Sequence, residues 1–230
     1  MTGFRVIELR IGRAAPLGTS GMLSAIDKHQ VHEAVPAGNL GFAGDEQADR
    51  KHHGGADKAI HAYAISHFPT WAGELPERAD RFRPGAFGEN LVVDGASEAD
   101  VCLGDQWRIG AALLEVSQGR QPCWKLNLRF DVADMARRVQ DTGRTGWYFR
   151  VIEPGLIAAG DDGRLIARPN PTWFLTRVSH LFYHDRMNRP ALAELAELPG
   201  LPENWRRLAK ARLRSGEIED WSRRIETPVI

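Results

Sequence analysis

Cys123 is the side chain in this sequence best placed to do chemistry. Pro122 stands directly before it and interrupts strand pairing, so the thiol is predicted to sit on a turn. Arg120 lies three residues earlier and Lys125 two later. Nearby cations favour the thiolate, the form that ligates metals or attacks electrophiles. The other cysteine, Cys102, lies between Val101 and Leu103 and reads as a small core residue. Three more loop-like segments combine unusual residues: Gly44 to Asp49 (GDEQAD), His52 to Lys58 (HHGGADK) and Gly88 to Leu91 (GENL). In the second, His53, Gly54 and Gly55 offer backbone that can approach a ligand closely, its N–H groups free to cradle an anion, with Lys58 beside it. The Walker phosphate-binding pattern is absent there.

Charge and cysteine count narrow the chemistry. The 230 residues carry 30 Lys and Arg against 30 Asp and Glu, a formal charge of zero, which argues against a dedicated nucleic-acid binder. The neutral sum hides a local excess. From Arg120 to Arg150 there are seven basic residues and three Asp, a charge of +4 around Cys123, which would suit a phosphate-bearing ligand. Two cysteines make neither a disulfide scaffold nor a cysteine-based zinc cluster. His180 and His184 have helical i, i+4 spacing, but no Glu follows His180 as a zinc-protease motif requires, so both are read as surface residues. The run Trp205 to Arg214 carries five basic residues and no acid; it reads as a solvated helix face, with docking of an acidic partner as its functional alternative. Charged residues interrupt the apolar start MTGFRVIELRIGR, and no apolar run reaches the roughly 18 residues that span a bilayer, so a cytoplasmic, membrane-free protein is expected.

The elements that must hold these residues are mostly strands. Phe4 to Ile11 alternates apolar and polar residues, and Val101 to Leu103, Gln106 to Ile109, Leu113 to Ser117, Trp147 to Ile152 and Gly163 to Ala167 are short apolar runs split by glycine turns. That texture predicts a mainly β barrel without βαβ alternation. Helices are predicted at Ser66 to Ala72 and at Val132 to Asp141, the latter with Asp131 as N-cap and Gly143 as stop. Pro169-Asn170-Pro171 then breaks the pattern. The expected division is a barrel over residues 1–170 and a small helical domain over 171–230. Its helices are predicted at Trp173 to Tyr183, after Pro190, at Pro202 to Arg214 and at Glu217 to Arg224.

Taken together and in order, GDEQAD, KHHGGADKAIHAY, FGENL, CLGDQWRIG, EVSQGRQPCWKLN and TGWYFRV resemble the MOSC domain, the module named after the C-terminal part of molybdenum-cofactor sulfurases. The likeness is closest to stand-alone bacterial members of the YiiM type, and the tail ending GEIEDWSRR resembles their three-helix domain. The resemblance implies a β-barrel binding molybdenum cofactor, with Cys123 as the protein ligand to molybdenum and a thiolate suited to that metal. It implies reduction of N-hydroxylated compounds such as hydroxylaminopurine bases, a detoxifying reaction. No flavin, iron–sulfur or nicotinamide motif is visible, so electrons are expected from an external flavoprotein reductase, docking on the Arg206 to Arg214 face. Arg120, Lys125 and Lys58 are the expected contacts for the phosphate and pterin, Gly54 and Gly55 the close backbone, and Asn90 and Asn127 the partners of the pterin amide edge. Asp45, Glu89 and His53 are the expected proton donors. Gly119 stands where the family often has Pro, which is expected to loosen the turn holding Arg120. Two alternatives remain open: a non-catalytic carrier of the cofactor on the same barrel, and a cysteine hydrolase pairing Cys123 with His53.

Overall fold

Phe4, Val6 and Leu9 turn inward between more exposed neighbours, and this alternation makes Gly3–Ile11 the first strand, β1. The computed structural model describes residues 3–18, 21–49 and 54–228. Five short strands follow: β2 (Ala15–Pro16), β3 (Leu23–Ser24), β4 (His29–Val31), β5 (Val35–Gly38) and β6 (Gly41–Phe42). Then come β7 (Ile60–Ala64), β8 (Leu91–Asp94), β9 (Gln106–Ile109), β10 (Ala112–Gly119), β11 (Trp147–Glu153), β12 (Gly155–Ile157) and β13 (Asp162–Ala167). Hydrogen-bonded neighbours run β13, β9, β10, β11, β7, β8, β1, and β1 pairs back onto β13. That last pairing closes a seven-stranded barrel and leaves no open edge within it. The sheet is antiparallel except at one point.

The exception corrects the expectation of no βαβ unit. β7 and β8 run parallel, and the connection between them carries helix α1 (His67–Glu74) and a 3₁₀ segment at Pro76–Arg81. Parallel neighbours need such a crossover. Pro69 and Gly73 inside α1 weaken its sequence signal. Val101 to Leu103 is not a strand either; Cys102 makes a single bridge to Phe174. Cys123 opens a turn, its carbonyl accepting the Leu126 N–H at 3.0 Å, and the residues after it wind into a short helix, α2 (Lys125–Phe130). Asp131 therefore closes α2 in the left-handed conformation, φ 55°, rather than opening the next helix. Asp tolerates that conformation better than most residues do. Helix α3 (Met135–Thr142) starts after Asp134 and stops at Gly143.

Beyond Pro171 the chain is helical: α4 (Leu175–Tyr183), α5 (Arg189–Ala196), α6 (Glu203–Ser215) and the single turn α7 (Ser222–Ile225). Residues 217–221 stay outside any helix, contrary to the sequence pattern, because Glu219 is drawn onto Arg212. The helices do not stand apart. Trp173, Val178, Phe182, Leu192 and Trp205 join barrel residues such as Trp107, Val116 and Trp147 in one hydrophobic cluster. Each such side chain removed from water contributes roughly 1.5–3 kcal/mol. A second cluster, with Tyr63, Trp71, Phe87 and Phe130, lies under α1 to α3.

One glycine is fixed by close approach. Gly146 has φ +70°, and a Cβ there would lie 2.4 Å from the Ala62 carbonyl oxygen. Its N–H donates to Glu98 at 2.5 Å and its carbonyl accepts the Arg120 N–H at 3.0 Å. The Gly146→Ala variant should lose at least about 2 kcal/mol of stability in urea titration. A loss below about half that value would show that the backbone can yield at this point.

Candidate functional site

Alternation along two paired strands builds the floor of the site. Ile60 and Ala62 of β7, with Trp147 and Phe149 of β11, face the hydrophobic interior, which turns His61 and Tyr148 to the outer face of the barrel. The two are cross-strand partners, with ring centroids 5.1 Å apart. A cavity of about 620 Å³, counting its open mouth, lies over them. The segment 24–28, the acidic loop 45–49, Phe87 and Gly88, and Arg120 with Cys123 and Lys125 form its walls.

Cys123 is 8% exposed and lies on this wall. Arg120 beside it is buried, and its Nη1 has no hydrogen-bond partner among the described residues. Burial pushes the Tyr148 hydroxyl above its ordinary pKa, against the opposing pull of the Arg120 charge. Lys58 also faces the cavity; burial lowers its pKa, while Asp49, Asp57 and Cys123 oppose the shift. Lys28 is lowered for the same reason and is paired to Asp45. His61 is pushed down to about 3 by burial and by the Arg120 charge, so its ring is neutral at physiological pH. Its Nε2 lies 3.3 Å from the Thr145 carbonyl oxygen.

Asn90 knots these walls together. Its Oδ1 accepts the His61 N–H at 3.1 Å, and its Nδ2 donates to the Arg10 carbonyl at 3.1 Å and to Asp45 Oδ2 at 2.9 Å. Asp45 Oδ1 in turn accepts the Gly12 N–H at 2.8 Å and the Lys28 ammonium. The acidic loop is thereby fixed to β1, to the start of β8 and to the segment before β4.

Residues 49–163 match the MOSC domain, and residues 173–216 match the YiiM-like 3-alpha helix domain. Protein YiiM of Escherichia coli K12 is 42% identical over 205 residues, covering 89% of this chain and 91% of that protein. This chain belongs to the MOSC domain family. The crystal structure of YiiM from Escherichia coli superimposes with a TM-score of 0.84 over 99% of this chain and 100% of that one, at 34% identity. A protein of Gibberella moniliformis titled "Reductase" is 39% identical over 91% of this chain, but the match spans only 37% of that longer protein.

In this MOSC protein the cavity brings together Cys123, Arg120, Lys125, Lys58, Asp45 and Asn90 from the residues singled out by sequence. It does not bring Glu89, Asn127, Gly54 or Gly55 to the lining, and His53 lies outside the described residues. Glu89 is fully buried beneath the wall, where its carboxylate accepts the Gly85 N–H and, at 3.0 Å, the Phe87 N–H. Burial raises its pKa to about 7. Its work is to shape the turn that presents Phe87 and Gly88. Asn127 donates to the Ile225 carbonyl at 3.0 Å and accepts the Ala136 N–H at 2.8 Å. Gly55, φ +96°, opens the 3₁₀ turn Ala56–Lys58 that carries Lys58 to the wall. The Asn90 amide is already committed to protein partners, and both Asp45 oxygens act as acceptors.

The charge readings also change. Of the seven basic residues between 120 and 150, Arg120 and Lys125 line the cavity. Arg129 pairs with Asp27, Arg144 with Glu74, and Arg150 with Glu115 and Asp57. In the Trp205 to Arg214 run, Arg206 donates to the Ala196 and Leu198 carbonyls at the end of α5. Arg212 is buried against Glu219 and the Phe182 carbonyl. Arg206 and Arg212 are thus withdrawn from that face, while Arg207 and Arg214 stay exposed on it. Gly119 ends β10 opposite Trp147, with the Trp205 ring 3.7 Å from where a Cβ would sit, so strand pairing holds the approach to Arg120. His180 and His184 stack on the exposed side of α4, and among the described residues no group of three or more metal-ligating side chains converges. Cys102 is fully buried, and desolvation with the nearby Asp105 raises its pKa to about 11. A thiol so protonated is inert. Among the described residues, no helix is long and apolar enough to cross a membrane.

His61 and Tyr148 were not singled out by sequence reasoning. The available signal was the strand alternation in IHAYA and WYFRV, which sets them on the face opposite Ile60 and Phe149.

Two measurements check this architecture. Asn90→Ala leaves the His61 N–H and Asp45 each short of a partner and should cost about 2–4 kcal/mol in urea unfolding; a change below about 1 kcal/mol would deny Asn90 its role as the knot. For His61, the folded pKa lies below the unfolded value of 6.5, so the unfolded chain takes up a proton first and stability falls as the pH drops through 6.5. Between pH 7.5 and pH 5 that loss is about 2 kcal/mol, and His61→Gln should gain that much relative to the parent protein over the same interval. Glu89, whose folded pKa is raised, contributes the opposite slope in both proteins, so it cancels in the difference.

Proposed function

We propose that this protein is a molybdenum-cofactor-dependent reductase of N-hydroxylated compounds, fed with electrons by a separate flavoprotein reductase. The observation that carries the reading is that the Cys123 thiol and the buried Arg120 guanidinium line one cavity, with the Arg120 Nη1 lacking a partner among the described residues. A buried donor without an acceptor costs about 1–3 kcal/mol, and on this cavity wall an anionic ligand would supply the acceptor. One thiol flanked by Arg120, Lys58 and Lys125 fits a thiolate-ligated metal on a phosphorylated organic carrier. Membership of the MOSC family and the reductase title of one relative point the same way.

The reaction takes an N-hydroxylamine, two electrons and two protons to an amine and water. When bound, the cofactor supplies the two-electron couple and the oxygen acceptor that no side chain provides. Cys123 would hold the metal. Arg120 and Lys125 would bind the phosphate and pterin, with Lys125 already donating to the Leu23 carbonyl at 3.1 Å on the cavity rim. Lys58, which stands on the cavity wall with a pKa lowered by burial, would be the proton donor. His61, neutral and tied to backbone, shapes the floor. Phe87 and Tyr148 offer flat surface to an aromatic substrate.

The test is metal and pterin analysis of protein purified from a host that makes the cofactor, followed by turnover of an N-hydroxylated purine with an artificial electron donor. Stoichiometric molybdenum and pterin, reduction by the parent protein and loss of at least about 10³-fold in rate in Cys123→Ala are expected. Active protein free of molybdenum, or full activity in Cys123→Ala, would overturn the reading. Bound cofactor without turnover of any N-hydroxy compound would make the protein a carrier.

A further inference from the structure

The turn that presents Cys123 is held by residues about 100 positions away in sequence, on the last stretch of the described chain. The Arg224 carbonyl accepts the Trp124 N–H at 2.7 Å. The Arg224 guanidinium reaches over the same turn: Nη1 donates to the Pro122 carbonyl and Nη2 to Gln140 Oε1 of α3. One residue therefore grips the backbone on both sides of the cysteine. The next positions extend the grip. Ile225 is buried, its carbonyl accepts Asn127 Nδ2 at 3.0 Å, and Thr227 Oγ1 accepts the same amide at 3.2 Å. The guanidinium itself is set by the Trp221 ring, 4.6 Å away, and by Tyr183 of α4 at 5.8 Å. Gln121 leans on the Tyr183 hydroxyl at 3.5 Å.

Among the described residues, the barrel holds this turn at its two ends. Arg120 N–H bonds the Gly146 carbonyl before it, and Leu126 packs in the outer cluster after it. Between them, the hydrogen bonds of Pro122 and Trp124 to the rest of the fold run to Arg224. We propose that the segment 221–227 is a strap that fixes the cysteine turn against the cavity, and that Arg224 is its positioning residue. The functional weight of this strap rests on the reading of Cys123 as the working thiol; the positioning itself does not.

The test therefore uses the full chain without cofactor. Arg224→Ala, Arg224→Lys and, as a control, Arg223→Ala at an exposed position of α7 are compared with the parent protein. Iodoacetamide labelling is followed at each cysteine by mass spectrometry, alongside hydrogen exchange of the peptide covering 121–128. In Arg224→Ala, labelling of Cys123 and exchange of that peptide should speed up about tenfold or more, while Cys102 in the core and the barrel strands stay at parent rates. Arg224→Lys keeps one donor and should restore part of the protection, and Arg223→Ala should match the parent. Parent-like rates in Arg224→Ala would overturn the strap. So would a parallel rise at Cys102 and in the barrel, which would make Arg224 a general stability residue. If the turn loosens as expected and the loaded protein still reduces nothing, the strap stands and the reductase reading falls.

Discussion

One side-chain amide organises the site. Asn90 receives the His61 N–H and donates to both the Arg10 carbonyl and Asp45. Its own backbone bonds the same two strands, its N–H to the His61 carbonyl and its carbonyl to the Arg10 N–H. These bonds are made at 3% exposure, where an unmet donor or acceptor is costly. An amide is the side chain that can accept from one strand while donating to another. A carboxylate here would face Asp45 with like charge, and an apolar group would leave the His61 N–H and Asp45 each short of a partner. The floor at His61, the acidic loop at Asp45 and the cation Lys28 all take their places from this residue.

The cavity sits on the outside of the barrel rather than within it. The interior is filled by Trp107, Trp147, Phe149 and their neighbours. Closure through β1 and β13 makes the wall stiff enough to serve as a platform. The residues that turn the wall into a pocket come largely from connections: the parallel crossover brings Phe87 and Gly88, the turn after β10 brings Arg120 and Cys123, and the long segment between β1 and β7 brings Lys28, Asp45 and Lys58. The helical tail completes the frame. It shares the barrel's hydrophobic cluster and returns a strap to the cysteine turn, so barrel and helices behave as one packed unit.

Much of this was legible in the sequence where the signal is local. The alternation in β1, the glycine stop after α3, Pro190 in the first turn of α5 and the core placement of Cys102 follow from short-range rules, and the structure agrees. Local rules failed where long-range partners decided the outcome. Asp131 satisfies the rules for an N-cap, yet burial of Phe130 in the outer cluster ends α2 there and turns Asp131 into its cap. Arg212 and Arg206 look like a solvated basic face until Glu219 and the carbonyls of α4 and α5 meet them. Glu89 and Asn127 have the chemistry of ligand contacts but are spent on backbone N–H groups and on residues 225–227.

The sequence by itself determined which groups this protein has to work with: one thiol on a proline turn among cations, acidic and glycine-bearing loops, and the strand period that makes a barrel. Those properties depend on residue type and on neighbours a few positions away, and they survive without knowledge of the fold. The tertiary structure alone decided which of those groups share a cavity and which are consumed in building it. The bonds that make that division join residues 28 and 45, 45 and 90, 61 and 145, and 122 and 224. Contacts at such separations leave no periodic trace along the chain, because they are set by how strands and connections close in space.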